Sequence, residues 1–114
     1  MSADMDTKIP EIIRRHSDFC SIFANPRRLM IMKCLFDGEK TVGAIATEIG
    51  MPDYNISQHL RIMKDRGAVR QRKEGREVYY RCANPKFIEA CKMIRDGLIE
   101  TYAEMNIAMS AEDL

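Results

Sequence analysis

The sequence predicts a mainly α-helical domain carrying one small β-hairpin, on three observations. Apolar side chains recur at helical spacing through most of the chain. Asn25-Pro26 and Asn84-Pro85 each stand directly ahead of such a pattern. Asparagine at an N-cap satisfies an orphan amide, and proline at the first helical position loses nothing there. After Gly67 the period falls from 3.6 to 2 through "AVRQRKEGREVYYRC", residues 68–82. At 114 residues, 46% hydrophobic and 31% charged, the chain is expected to be one globular domain with a core of its own. No apolar run approaches the roughly 18–20 residues that span a bilayer. The amino terminus has no secretory pattern, so a cytoplasmic location and no membrane partner are expected.

The first helix is expected from Pro10 to Ala24, with Ile9, Ile12, Ile13, His16, Phe19, Cys20 and Phe23 as its apolar stripe. The second runs from Pro26 to Phe36, burying Leu29, Met32, Leu35 and Phe36, and stops at Asp37-Gly38. A third, short helix begins near Thr41 or Val42, buries Val42, Ile45, Ala46 and Ile49, and ends at Gly50. The fourth spans Asp53 to Arg66, turns Ile56, Leu60 and Met63 inward, and ends at Gly67, where glycine accepts a left-handed conformation. Two strands follow, 68–73 and 76–82, joined at Glu74-Gly75, with Val69, Val78, Tyr80 and Cys82 facing inward. The last helix, 85–109, carries Phe87, Cys91, Ile94, Leu98, Thr101 and Met105 at spacings of four and three, a seam for a partner helix. Residues 1–8 and 110–114 are expected to fray. The element order is ααααββα: about five helices and a two-stranded antiparallel wing.

Helix, tight turn, helix and hairpin within 41–82 make a winged helix-turn-helix plan, with the helix-turn-helix at 41–66 and the wing at 68–82. Charge is distributed to match. Residues 58–81 carry eight basic and three acidic side chains, although the whole chain is only +1. On the outer face or edges of the fourth helix lie Tyr54, Asn55, Ser57, Gln58, Arg61 and Lys64. Asn55 and Gln58 can bond adenine at two points, Arg61 can do so for guanine, and Ser57 suits a base or a phosphate. His59, at the margin of the buried face, suits positioning or a phosphate contact better than base reading. Arg70, Arg72, Lys73, Arg76 and Arg81 crowd the hairpin, where cations clamp phosphates. A polar outer helix face alone is what any surface helix shows; the basic wing beside it points to duplex DNA. A winged helix that contacts protein or RNA is the alternative. No phosphate loop, nucleophile motif or metal-ligand spacing suggests an enzyme or a cofactor.

The chain resembles the ArsR family of winged-helix repressors through "ANPRRLMIMKCL" (24–35), "SQHLRIMKDRGAV" (57–69) and "KEGREVYYR" (73–81). The resemblance implies a symmetric dimer built from the first and last helices, 10–24 and 85–109, on an imperfect palindrome. It places Ser57, Gln58, His59 and Arg61 in the recognition helix, and Arg72, Lys73 and Arg76 in the wing. The residues taken for the dimer interface are Ile12, Phe19, Cys91, Ile94, Leu98, Tyr102 and Met105. Family members that sense metals carry cysteines in the first helix of the helix-turn-helix, or histidines and carboxylates on the last helix. Here 41–48 has neither cysteine nor histidine, and the last helix has no histidine, so no metal is expected. Release by an unidentified small molecule or thiol-reactive inducer remains, with Cys34 or Cys91 as a redox alternative. Cys34 falls one residue beyond the family's cysteine position and Cys91 is too early on the last helix, and Cys20, Cys34, Cys82 and Cys91 each read as buried filler before reactive thiol.

Overall fold

The computed structural model describes residues 8–113, and among them five α-helices form: α1 (Glu11–Ser21), α2 (Pro26–Cys34), α3 (Val42–Ile49), α4 (Asp53–Asp65) and α5 (Pro85–Glu104). The strands are β1 (Lys40–Thr41), β2 (Val69–Glu74) and β3 (Glu77–Cys82), in the antiparallel order β1-β3-β2. The wing is therefore three-stranded, not two-stranded. β1 pairs Lys40 with Tyr80 and Thr41 with Tyr79, and a strand of two residues is too short to show an alternation in sequence. The wing turn sits one residue later than expected. Glu74 pairs with Glu77, leaving Gly75-Arg76 as the turn. Gly75 has φ 62°, the positive value a type II′ hairpin turn needs at its first central residue.

The start signals act as read. Asn25 Oδ1 accepts from the Arg27 and Arg28 amides, and Asn84 Oδ1 from that of Lys86. Helix ends differ for local reasons. α1 gives way to a 3₁₀ turn at Ile22–Ala24, because Asn25 must turn extended to cap α2. α5 stops at Glu104 rather than 109: Asn106 takes φ 59°, and the Ile107 amide closes back on the Tyr102 carbonyl at 2.9 Å. Asparagine tolerates that left-handed position. Residues 111–113, expected to fray, form a 3₁₀ turn; residues 1–7 and 114 lie outside the described residues.

The core joins Ile22, Ile31, Met32 and Leu35 to Ile45 of α3, Ile56, Leu60 and Met63 of α4 and Val69 of β2, all of them buried. Leu29, expected inside, is 43% exposed. It lies two residues from Ile31, about 200° around the helix. α3 and α4 pack on each other and on α2, so the turn at 50–52 is held on both sides. No helix among the described residues is long and apolar enough to cross a membrane.

Candidate nucleic-acid interface

α4 has two faces because Ile56, Leu60 and Met63, at i, i+4 and i+7, are fully buried. Burial of that row fixes the helix to the body and turns Ser57, Gln58, Arg61 and Lys64 to solvent, with Tyr54 68% exposed at its start. Asn55 and His59 are half-buried at the edges. A groove about 12 Å wide takes one helix presented this way. β2 packs beside α4 and carries Arg70 and Lys73, with Arg76 at the turn; all three are exposed and make no ion pair among the described residues.

Arg72 stands apart from these cations. Its guanidinium binds both carboxylate oxygens of Glu39, reaches Glu74 at 2.9 Å and lies 4.8 Å from the centre of the Tyr79 ring. Those bonds hold the Glu39 carboxyl below the usual carboxylate range. The sequence placed Arg72 with the phosphate contacts; the structure places it in a clamp between the wing and the segment entering β1.

His59 is turned toward α2, where Arg28 Nε donates to its Nδ1 at 3.3 Å. Burial, then the charges of Arg28 and Arg27, push its pKa below the ordinary 6.5. Sequence reasoning missed Arg28 and Glu39. A signal for Arg28 existed: two arginines in the first turn of a helix oppose its dipole, which marks a place where an outside anion or acceptor is expected.

The interface residues on α1 and α5 divide in two. Phe19 is half-buried against the rings of Phe23 and Phe87, at 5.6 and 4.4 Å, and this stack joins α1 to α5. Cys91 and Tyr102 are also half-buried, whereas Ile12, Ile94, Leu98 and Met105 are exposed, together with Ile9, Ile13 and Met93. The four cysteines are free. Cys20 is exposed, contrary to its reading as buried filler, because it lies on the outer side of α1; Cys34 and Cys82 are buried. Burial and a hydrogen bond to the Glu48 carboxylate push the Cys34 thiol up to about 12, and burial also raises Cys91. No group of three or more His, Cys, Asp or Glu side chains converges among the described residues.

Comparison with known proteins adds four likenesses. The profile described as "Bacterial regulatory protein, arsR family" matches residues 25–71. Over 96 residues the chain is 31% identical to the nodulation protein NolR of Rhizobium meliloti, covering 84% of this chain and 75% of NolR. It is 28% identical to the biofilm growth-associated repressor of Xylella fastidiosa, over 73% of this chain and 69% of that one. The solution structure of a homodimeric winged helix-turn-helix DNA-binding domain from Mycobacterium bovis superposes with a TM-score of 0.73 at 32% identity, over 78% of this chain and 82% of that domain.

Proposed function

This chain belongs to the arsR family of bacterial regulatory proteins, and we propose that it is a homodimeric repressor that occupies an imperfect inverted repeat in duplex DNA. One observation carries this reading. A helix held by one fully buried face presents Ser57, Gln58 and Arg61 outward beside Arg70, Lys73 and Arg76 of the wing, which make no ion pair among the described residues. Two such helices related by a dyad would enter major grooves one turn apart, roughly 34 Å. The exposed apolar residues of α1 and α5 supply the dyad contact. Gln58 and Arg61 read bases, Tyr54, Asn55, Ser57 and Lys64 flank them, and Lys73 and Arg76 neutralise phosphates. His59 stands at the helix margin as a positioning or phosphate contact. Occupancy of the repeat blocks access to the DNA until a signal lowers affinity. We assign that signal to something other than the family's usual metal sites, because 41–48 and α5 lack the histidines and cysteines those sites use, apart from Cys91.

Selection from a random duplex library, followed by binding isotherms at several salt concentrations, tests the proposal. A dyad-symmetric sequence with salt-sensitive affinity is expected. No enrichment at low salt, or an Arg61→Ala variant that holds the selected duplex as tightly as the parent, would refute it.

A further inference from the structure

We propose that Arg28 is a positioning residue of the reading surface, holding His59 as the neutral tautomer with its proton on Nε2, so that the imidazole meets DNA only as a hydrogen-bond donor. The inference rests on the DNA-binding reading above and goes beyond it in assigning a role to a residue outside α4 and the wing.

The chemistry is restrictive. A guanidinium has five N–H donors and no acceptor, and it keeps its proton in proteins. Its contact with His59 Nδ1 therefore makes Nδ1 the acceptor and leaves the proton on Nε2. A second proton on the ring would set N–H against N–H beside two arginines. Arg28 and Arg27 of α2 are the charged groups that bear on the ring, and both oppose protonation, as does burial. Arg28 itself is fixed at its backbone, because its amide donates to Asn25 Oδ1 at 3.3 Å in the cap that starts α2. The Asn25-Pro26 start signal, α2, Arg28 and His59 thus form one chain from a local capping preference to the edge of the recognition helix.

An Nε2–H donor has a limited choice on a duplex. Phosphate oxygens, purine N7, guanine O6 and thymine O4 accept; the amino groups of adenine and cytosine do not. A ring free to exchange tautomers could meet either kind. By removing that freedom, Arg28 fits His59 to an acceptor such as a phosphate oxygen, the contact assigned to it above, and leaves it unable to accept from an amino group.

The test reads the ring first in the DNA-free protein. The chain has only two histidines, His16 and His59, so His16→Gln leaves one imidazole for ¹⁵N-resolved spectra. The expected result is a dominant Nε2–H tautomer with a titration midpoint below 6.5. In Arg28→Met, which keeps an apolar stem but no donor, the tautomers should mix and the midpoint should rise. Affinity for the selected duplex should fall about two- to tenfold, the range for one lost hydrogen bond. A wild-type ring with mixed tautomers, or an Arg28→Met variant with unchanged ring state, overturns the inference whether or not the protein binds DNA. A correct ring state with no duplex selected overturns the DNA-binding reading instead, and the donor role with it.

Discussion

Arg72 and Glu39 form a two-point ion pair, with Nε–Oε2 at 3.3 Å and Nη2–Oε1 at 2.5 Å, that ties the wing to the residue ahead of β1. Arg76, at the wing turn, has no such partner among the described residues. The two arginines should therefore fail differently. Arg76→Ala is expected to weaken all duplexes alike and to lower the salt slope by about one unit, as one lost phosphate contact does. Arg72→Ala should leave the slope nearer its parent value. It should also loosen the wing, by the small amount that a solvent-screened surface pair contributes. Titrations at four salt concentrations, with urea melts of the same proteins, separate the two. Equal slopes for both variants would put Arg72 back among the phosphate contacts.

Base reading makes a different demand. Gln58 and Arg61 project from a helix whose opposite face is fully buried, so their truncation should leave the fold intact. Each is expected to cost roughly 1–3 kcal/mol at particular base pairs and little elsewhere. Selection repeated with Gln58→Ala should relax one position of each half-site. If the variant recovers the parent's sequence with undiminished stringency, Gln58 is not a reader.

The sequence shows this surface only in part, and the division is physical. Buried faces at fixed helical spacing are legible, so Ile56, Leu60 and Met63 and the outward residues between them were placed from the pattern alone. Asn-Pro starts are legible because the cap is local. Contacts between residues 31 or 33 positions apart, Arg28 with His59 and Arg72 with Glu39, leave no periodic trace. β1 was missed because its two residues owe their strand geometry to β3. α5 was read too long because apolar spacing continues past Asn106 to Met109, while the helix is ended by a single backbone angle.

The exposed apolar residues on α1 and α5 predict an obligate change of state when one becomes charged. Leu98 is 46% exposed and Ile94 65%, so Leu98→Glu costs the isolated chain little, yet buries two symmetry-related carboxylates in a dimer. Sedimentation should show the parent as a dimer and Leu98→Glu as a folded monomer with DNA affinity reduced by an order of magnitude or more. A dimeric Leu98→Glu would move the dyad contact away from the middle of α5.

Burial and ionisation both set Cys34 apart from the exposed Cys20. Cys34 lines an open cavity of about 510 Å³ beside Lys40 and Glu48. The residue is only 6% exposed, and burial with the Glu48 carboxylate pushes the thiol up to about 12, so little of it is thiolate at neutral pH. Cys20 is exposed on α1. Limited alkylation of the monomeric Leu98→Glu variant at pH 7.5, followed by mass spectrometry, should therefore mark Cys20 first and Cys34 only on unfolding. Rapid labelling of Cys34 in the folded protein would reopen a thiol switch at that site.

The depressed pKa of His59 has a consequence for stability that separates by pH window. Its folded value lies below the unfolded 6.5, so the unfolded chain binds the proton more readily. Stability is fully present above 6.5 and is lost as pH falls from there through the folded value. Glu39 and Glu48, whose folded values lie below 4.5, lose their contributions only in more acid solution. Urea melts at pH 7.5, 6.5 and 5.5, at one protein concentration so that dimer mass action is constant, should show the parent weakening across that range. His59→Gln removes the titrating group and should flatten the trend, while Arg28→Met, which lifts the folded value toward 6.5, should reduce it. A His59→Gln protein with the parent's full slope would mean that another group titrates there, and that the contact between α2 and α4 does not hold the ring neutral.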